Sequence, residues 1–307
     1  MKLTHIILTA AFISGGAFAA KAQMTVTNPP VPASVTFAGQ KTDLDRADMY
    51  ERYDRELTAL TYTHGNVLLT IKRANKYFPM MSPILKQYGV PQDLLYLACI
   101  ESYLNPRAYS GAKAAGIWQF IPSAAKQYGL EVNEYVDERY HPAKSTAAAC
   151  KYLKSMKAKF GNWESAAAAY NGGGARITKE LEAQGATSAY DLYLTDETSR
   201  YMFRLLAMKE IMENPAKYGF RLNASQLYYP VDCRTVKVTG PVEDWPAWAR
   251  QQGTNYGTLR ELNPWIRAKS LPNKAGKTYE VLVPKPGAMK RSAQKKNVYN
   301  PKWTARQ

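Results

Sequence analysis

Histidine and cysteine, the side chains that most often hold metal ions or activate nucleophiles, are scarce in this sequence. Each occurs three times in 307 residues. His5 lies in the N-terminal segment, and neither His64 nor His141 has a neighbour at metal-ligand spacing. No glycine-flanked serine motif of the nucleophile-elbow type is present. We therefore expect no metal and no cofactor, and serine–histidine chemistry has little support.

The three cysteines give no disulfide framework. Three is an odd number, so at least one of Cys99, Cys150 and Cys233 is unpaired within the chain. Cys99 and Cys150 both lie in apolar, helix-like patterns. They are either bridged to each other or are small buried side chains.

Long hydrophobic runs are absent after the first 22 residues. Residues 1–22 have a basic start, an apolar stretch and small residues at the end, which is the layout of a cleavable secretory signal. The apolar part is short for a bilayer span, and a short membrane anchor is the alternative. We expect an exported chain, in the periplasm or cell envelope, with no integral membrane span in its mature form.

Acidic residues are outnumbered by 41 lysines and arginines to 25 aspartates and glutamates, a formal net charge of +16. Residues 285–307 contain seven of the basic residues and no acid. Such a run is typical of a solvated, disordered extension. For an exported protein this predicts no nucleic-acid partner, and an anionic surface such as a cell wall suits the charge better.

Composition and periodicity divide the chain into segments. After the signal, residues 23–42 include the proline-rich "TVTNPPVPAS" and are predicted to be a linker. Helical periodicity dominates residues 43–228. Residues 231–286 are predicted to form a strand–helix–helix–strand module, and residues 287–307 are the basic tail. The predicted fold class is mainly α, followed by a small α+β module.

One carboxylate ends a segment that otherwise avoids water. In "PQDLLYLACIESYL", the residues Leu94, Leu97, Ala98 and Glu101 fall on one helical face. The sequence Asn105-Pro106 predicts the end of this helix, because a residue before proline avoids the α region.

This position gives Glu101 two physical interpretations. Desolvation and the negative end of the helix dipole both disfavour its charged form, so its pKa is expected to rise and it could act as a general acid. Alternatively, Glu101 is a helix-end glutamate that reaches solvent or pairs with Arg107. Spacing alone leaves these two open.

The segment after Glu101 favours a sugar ligand. "SGAKAAGIWQFIPSAAKQYGL" begins with small residues that permit a close backbone approach. It then presents Trp118, Gln119 and Phe120 side by side. Aromatic faces stack on the apolar faces of sugars, and an amide bonds hydroxyl and acetamide groups. An ordinary core turn is the alternative.

Four motifs in order carry a family resemblance. They are "ESYLNPRAYSGAKAAGIWQFIPSAAKQYGL", "DERYHPAKSTAAACKYL", "NWESAAAAYNGGGARI" and "ETSRYMFRLLA". Across roughly residues 75–220 the chain resembles the lytic murein transglycosylases with a soluble-lytic-transglycosylase catalytic domain, and the membrane-bound transglycosylase D type most of all. The resemblance implies a lysozyme-like helical fold that cleaves peptidoglycan between N-acetylmuramic acid and N-acetylglucosamine.

The resemblance also implies roles for particular residues. Glu101 matches the single catalytic acid and base, and Ser102 the serine that follows it in the motif. Ser110 matches a serine lining the site, and Gln119 a glutamine that contacts the sugar. The second half of the site is implied by the later motifs, which supply Tyr170 and Asn171 from "AYN" and Tyr201 from "ETSRY".

The chain departs from the family pattern in few places. Ile117 stands for the usual leucine, Gly172 for an alanine and His141 for an aspartate. The last change concerns only a local cap or surface contact. Asp137 and Glu138 are interpreted as holding this loop and not as performing chemistry.

The C-terminal module resembles a LysM domain less closely. Residues 236–264 and then "GKTYEVLVP" have the right order of elements, but the usual opening tyrosine and Gly-Asp-Thr turn are missing. Binding of glycan chains and a purely structural role both stay open.

Three functions remain at this point: a glycan lyase, a lysozyme-like hydrolase, and a wall-binding protein without activity. A glycosidase usually needs two carboxylates, and the motifs supply only Glu101. The intact Glu101 motif argues against the inactive protein. The expected reaction is therefore non-hydrolytic cleavage that leaves 1,6-anhydromuramic acid ends.

Overall fold

The computed structural model describes residues 27–304. The signal-peptide prediction for residues 1–22 lies outside the described residues. No helix in the described range is long and apolar enough to cross a membrane. Cys99, Cys150 and Cys233 are all free thiols, so the Cys99–Cys150 bridge left open by the sequence is not formed.

The N-terminal part of the described chain is helical, as predicted. Its helices are α1 (Ala47–Tyr62), α2 (His64–Gln87), α3 (Leu95–Ser102), α4 (Pro122–Gln127), α5 (Pro142–Phe160), α6 (Trp163–Gly172), α7 (Gly174–Gln184) and α8 (Asp196–Glu213). They share one apolar core in which α3 is enclosed by α2 and α8. Helix α7 lies within the region predicted to be helical, and it begins directly after the glycine pair that ends α6.

Helix α3 ends earlier than its sequence predicts. It stops at Ser102, and the next two residues, Tyr103 and Leu104, both have left-handed backbone angles with φ of 52° and 55°. The Tyr103 amide donates to the Cys99 carbonyl and closes the helix at 2.9 Å. The helix therefore ends three residues before Asn105. Glu101 keeps its predicted place in the last turn.

The linker prediction for residues 23–42 is wrong for its second half. Strands β1 (Ser34–Phe37) and β2 (Gln40–Asp43) form an antiparallel hairpin. Val35 and Phe37 point into the helical core and are 7% and 2% exposed. The proline-rich start of the segment concealed this alternating apolar pattern, which a hairpin needs to bury one face.

The C-terminal module has the predicted order of elements. Strand β3 (Cys233–Val238) is followed by α9 (Trp245–Gln251), α10 (Tyr256–Leu262) and β4 (Tyr279–Pro284). The two strands pair antiparallel along six residues. They form a second, smaller apolar cluster with the two helices. The mainly α fold with a small βααβ module is confirmed.

The expectation of a disordered basic tail is wrong for residues 287–304. This segment returns to the helical domain, where Trp303 is 1% exposed. The Trp303 indole donates to the Met212 carbonyl at 2.7 Å, and the Tyr299 amide donates to Asn75 Oδ1 at 2.8 Å. The lysines stay exposed. The basic composition gave no sign that Trp303 is buried, and this ring, together with the partly exposed Tyr299 ring that packs on Phe78, supplies the apolar contact needed for order.

Candidate active site

An open cleft of about 660 Å³ crosses the helical domain. Its walls combine α3, the loop before α4, α6 and α8. The cleft brings together most of the residues singled out in the sequence, and its lining includes Ile100, Glu101, Ser110, Gln119, Phe120, Tyr170, Asn171, Glu197, Tyr201 and Arg204. Its size and its mix of aromatic and polar side chains suit an extended polar ligand.

Glu101 is a carboxyl group in this cleft whose pKa is raised by its surroundings. The Tyr201 hydroxyl donates to Glu101 Oε1 at 2.5 Å. Burial raises the pKa of Glu101 to about 7, and the hydrogen bond from Tyr201 opposes that rise. A carboxyl group with this pKa is protonated in a large fraction of molecules near neutral pH, as a general acid requires. Its suggested alternative partner, Arg107, instead pairs with Glu261 at 2.8 Å.

Helix α8 supplies Tyr201 from a firmly held position. Its Arg200 and Arg204 both donate to Glu56, a carboxylate of α1 that is 1% exposed, at 2.6 and 3.1 Å. Arg204 also lines the cleft, and its positive charge lowers the pKa of Glu101 by a small amount. These ion pairs to the buried Glu56 therefore hold α8 against α1.

A second carboxylate, Glu197, lines the same cleft and was missed in the sequence. It lies on the exposed first turn of α8, four residues before Tyr201, and seven before Arg204. Residues at i, i+4 and i+7 share one helical face, so this spacing was the available signal. The charge of Glu197 raises the pKa of Glu101 further.

Tyr170 ties α6 to the cleft loop. Its hydroxyl donates to the Trp118 carbonyl at 2.7 Å, and its ring packs edge-on against Phe120. Burial, followed by the nearby Glu101, raises the pKa of the Tyr170 hydroxyl well above its usual value. The phenol is therefore a neutral donor, placed within reach of the site and already used to hold the loop.

Gln119 projects from a loop in an unusual backbone conformation. Its φ is 50°, in the left-handed region that non-glycine residues rarely adopt. Its Nε2 donates to the Gly116 carbonyl at 2.9 Å, while Ser110 Oγ accepts from the Ala114 amide at 3.1 Å. Gln119 and Ser110 thus both line the cleft and both brace the loop from within.

Ser102 lies behind the cleft, whereas Asn171 lies at its rim. Ser102 is buried, and its hydroxyl donates to the Ile117 carbonyl at 2.8 Å. It lies behind the cleft and not among its lining residues. Asn171 reaches the cleft rim, where its Oδ1 accepts from Thr198 at 3.0 Å and its amide donates to Glu197 at 3.5 Å. Asn171 therefore lies next to the second carboxylate.

The segment 137–141 supports the cleft from below. Asp137 and Arg139 form a buried ion pair at 2.7 Å, and Glu138 accepts from the Glu131 amide at 2.9 Å. These contacts agree with a holding role for both acids. His141 caps α5 by accepting from the Lys144 amide, and burial lowers its pKa to about 4, so it stays neutral.

Comparison with known proteins matches both parts of the chain. Residues 80–193 match the family model described as transglycosylase SLT domain, and residues 234–287 match the soluble lytic transglycosylase C-terminal LysM-like domain. Membrane-bound lytic murein transglycosylase D of Escherichia coli K12 is 32% identical over 240 residues, which is 76% of this chain and 51% of that protein.

More distant similarities are of the same kind. Membrane-bound lytic murein transglycosylase C of Haemophilus ducreyi is 25% identical over 51% of this chain and 46% of its own length. A solved structure of an inactive mutant of lytic transglycosylase Slt from Pseudomonas aeruginosa has 19% identity and a TM-score of 0.37, covering 46% of this chain and 24% of that one. The chain spans about half the length of the curated relatives it matches.

Proposed function

We propose that this chain cleaves peptidoglycan. It carries a transglycosylase SLT domain with an SLT-type LysM-like domain and is homologous to membrane-bound lytic murein transglycosylase D. The bond cut lies between N-acetylmuramic acid and N-acetylglucosamine. The observation that carries this proposal is Glu101, a carboxyl with a pKa raised to about 7, held by Tyr201 inside an open cleft.

In the first step Glu101 donates its proton to the glycosidic oxygen as the bond to C1 of muramic acid breaks. Tyr201 occupies Oε1, which leaves Oε2 to carry that proton. Departure of the sugar leaves a positively charged ring and a Glu101 carboxylate. The Tyr201 hydrogen bond stabilises this carboxylate, so the Glu101 carboxyl gives up its proton more readily than it would without that bond.

In the second step the Glu101 carboxylate removes the proton from the C6 hydroxyl of the same muramic acid, whose oxygen attacks C1. The products are a free N-acetylglucosamine hydroxyl and a 1,6-anhydro ring, with no water consumed. Attack by a group tethered to the reacting ring has a large effective-molarity advantage over attack by water. One carboxyl group therefore serves as both acid and base.

Glu197 supports a second candidate, hydrolysis. Its carboxylate lines the cleft with Glu101, and a second carboxylate that activates water is what an inverting glycosidase uses. We favour the lyase because Glu197 lies on the exposed rim beside Asn171.

Digestion of purified peptidoglycan in ¹⁸O-labelled water separates the two reactions. The lyase gives fragments one water lighter than hydrolysis products, without label, and with muramic acid ends that borohydride does not reduce. Reducible muramic acid ends that carry ¹⁸O would mean hydrolysis, with Glu197 as the candidate base. Glu101→Gln protein is the control for contaminating activity.

We further propose that the C-terminal module contacts wall glycan and that the protein works in the periplasm or cell envelope. The module has a groove of about 450 Å³ beside α9, lined in part by the half-buried ring of Trp248. Aromatic rings of this kind stack on sugars.

Sedimentation with insoluble peptidoglycan at moderate salt tests this, in a Glu101→Gln chain. The Trp248→Ala variant of that chain should sediment less, whereas its Glu280→Ala variant should sediment as before. Equal sedimentation of both would favour a structural module.

A further inference from the structure

The C-terminal module is joined to the helical domain by a shared layer of backbone and side chains. The Asp137 amide donates to the Trp265 carbonyl at 2.9 Å, and the Arg267 amide donates to the Tyr135 carbonyl at 2.8 Å. Between them Val136, a residue of the helical domain, is 1% exposed and belongs to the apolar cluster of the module. The module therefore completes its core with a residue from the loop beneath the cleft.

Side chains extend this contact on both sides of Val136. The Trp265 ring is stacked at 22° on His141, and the guanidinium of Arg267 lies 4.1 Å above the Tyr140 ring. Lys277 Nζ lies 2.9 Å from Glu131 Oε2. The segment 131–141 is thus held at its start, middle and end by the module.

The other side of the same segment holds the loop that carries Gln119. Arg139, fixed by its buried ion pair with Asp137, donates to the carbonyls of Lys113 at 2.6 Å and Phe120 at 3.1 Å. The loop backbone also rests on Arg139: a Cβ added to Gly116 would lie 1.9 Å from the Arg139 carbonyl oxygen.

This loop needs outside support because parts of it are strained. Lys113 and Gln119 both have positive φ angles, 61° and 50°. Non-glycine residues persist in this region when the surrounding structure over-determines them. The contacts from Arg139 are at the carbonyls of Lys113 and Phe120, so they brace both ends of the strained stretch.

We propose that the C-terminal module positions the cleft loop. It fixes the segment 131–141, and Asp137 and Arg139 pass that constraint to the residues that place Gln119 and Ser110. The module should therefore affect even the cleavage of soluble glycans that are too short to reach the surface of the module. The expected effect of the module on glycan cleavage rests on the proposed function, whereas its expected effect on the structure of the loop does not.

Val136→Asp in the full chain tests the proposal, because a carboxylate at this site cannot stay in the apolar cluster of the module. Amide hydrogen exchange at Asp137 and Arg267 reports undocking. We expect exchange at Ala115 and Gly116, whose amides are bonded within the loop, to accelerate with it, while α3 and α8 keep their protection. For a soluble glycan fragment kcat/KM should fall about 10- to 100-fold, mainly through KM.

Two matched variants control for general damage. Leu282→Asp places the same charge on an exposed apolar strand position of the module, and Val136→Ile keeps the apolar contact. Both should leave loop exchange and kcat/KM within about twofold of the parent chain. If Val136→Asp does not fold, Arg267→Ala combined with Lys277→Ala removes surface contacts only and should shift loop exchange in the same direction by a smaller amount.

Undocking without faster exchange at Ala115 and Gly116 would overturn the proposal, as would undocking with unchanged kcat/KM in a parent chain that cleaves. If the parent chain does not cleave glycan, the proposed function fails and the exchange measurements alone decide the positioning role.

Discussion

The hydroxyl of Tyr201 donates to Oε1 of Glu101 at 2.5 Å, joining two helices whose bonded residues are 100 positions apart. Burial raises the pKa of the Glu101 carboxyl, and this bond limits the rise so that the value comes to about 7. The pair therefore combines a proton that is available at neutral pH with a carboxylate that is stabilised once the proton has gone.

Replacement of Glu101 by glutamine should remove most activity. The amide is nearly isosteric with the protonated carboxyl but cannot donate a proton to the glycosidic oxygen, so turnover should fall on the order of 10²–10⁴-fold or more. Turnover on purified peptidoglycan and far-UV circular dichroism measure this together. Tyr170→Phe and Gln119→Ala should lose less. A folded Glu101→Gln chain with near-normal activity would refute the assignment.

Removal of the Tyr201 hydroxyl should move the pH profile. Glu101 acts in its protonated form, so kcat/KM is expected to fall as pH rises through about 7. Tyr201→Phe deletes the hydrogen bond that lowers this pKa, and the falling limb should move to higher pH. The plateau rate at low pH should drop, because the carboxylate formed in the first step loses its donor. An unshifted limb would show that Tyr201 does not tune Glu101.

Removal of the Glu197 charge should move the same limb in the opposite direction. Repulsion from Glu197 raises the pKa of Glu101, so Glu197→Gln should lower it and the activity should be lost at lower pH. The pH–rate profile measures this, with Asp196→Asn, an exposed neighbour on α8, as the matched control. We expect Glu197→Gln to give the same unlabelled anhydro products as the parent. If the parent instead gives ¹⁸O-labelled ends and Glu197→Gln does not, Glu197 is assigned to water activation.

The stability of the folded chain should depend on pH through Glu101. Its pKa is about 7 when folded and near the ordinary 4.5 when unfolded, so the folded state holds the proton more tightly. This contribution to stability is complete below about pH 4.5 and is lost as pH rises to about 7. At pH 8, Glu101→Gln should therefore be more stable than the parent by about 1–3 kcal/mol. Denaturant unfolding at pH 8 and pH 4 tests this, and equal differences at both values would contradict it.

The end of the chain should matter for stability. Trp303 packs against Phe78 with ring centroids 5.9 Å apart and is 1% exposed. Trp303→Ala leaves a cavity and an unpaired Met212 carbonyl, so unfolding of the chain should cost about 3–5 kcal/mol less. Lys302→Ala, its exposed neighbour, should change stability by less than about 0.5 kcal/mol. Thermal melts of both variants measure this. A Trp303→Ala chain that melts like the parent would mean that the tail does not contribute to the stability of the folded chain.

The sequence carried the local information of the site. An apolar helical stripe that ends in a carboxylate placed Glu101 in the last turn of α3 and gave a raised pKa as one of two interpretations, because periodicity and desolvation are properties of one short segment. The helices and the βααβ order followed from the same local patterns. The resemblance brought in Ser110, Gln119, Tyr170, Asn171 and Tyr201, and each of these lines the cleft. Ser102 does not, because it is buried and its hydroxyl donates to the Ile117 carbonyl behind the cleft.

Tertiary structure decided what depends on residues far apart in the chain. The value near 7 for the Glu101 pKa comes first from burial in the fold and then from Tyr201, Glu197 and Arg204, and no local pattern sets those distances. Charge composition predicted a disordered tail, yet apolar side chains of this tail pack on the core of the helical domain. Periodicity shows which face of an element is buried, but not against what. That Val136 completes the core of the C-terminal module, and that the Gln119 loop rests on the same segment, could be decided only by packing, because burial is a property of the whole fold.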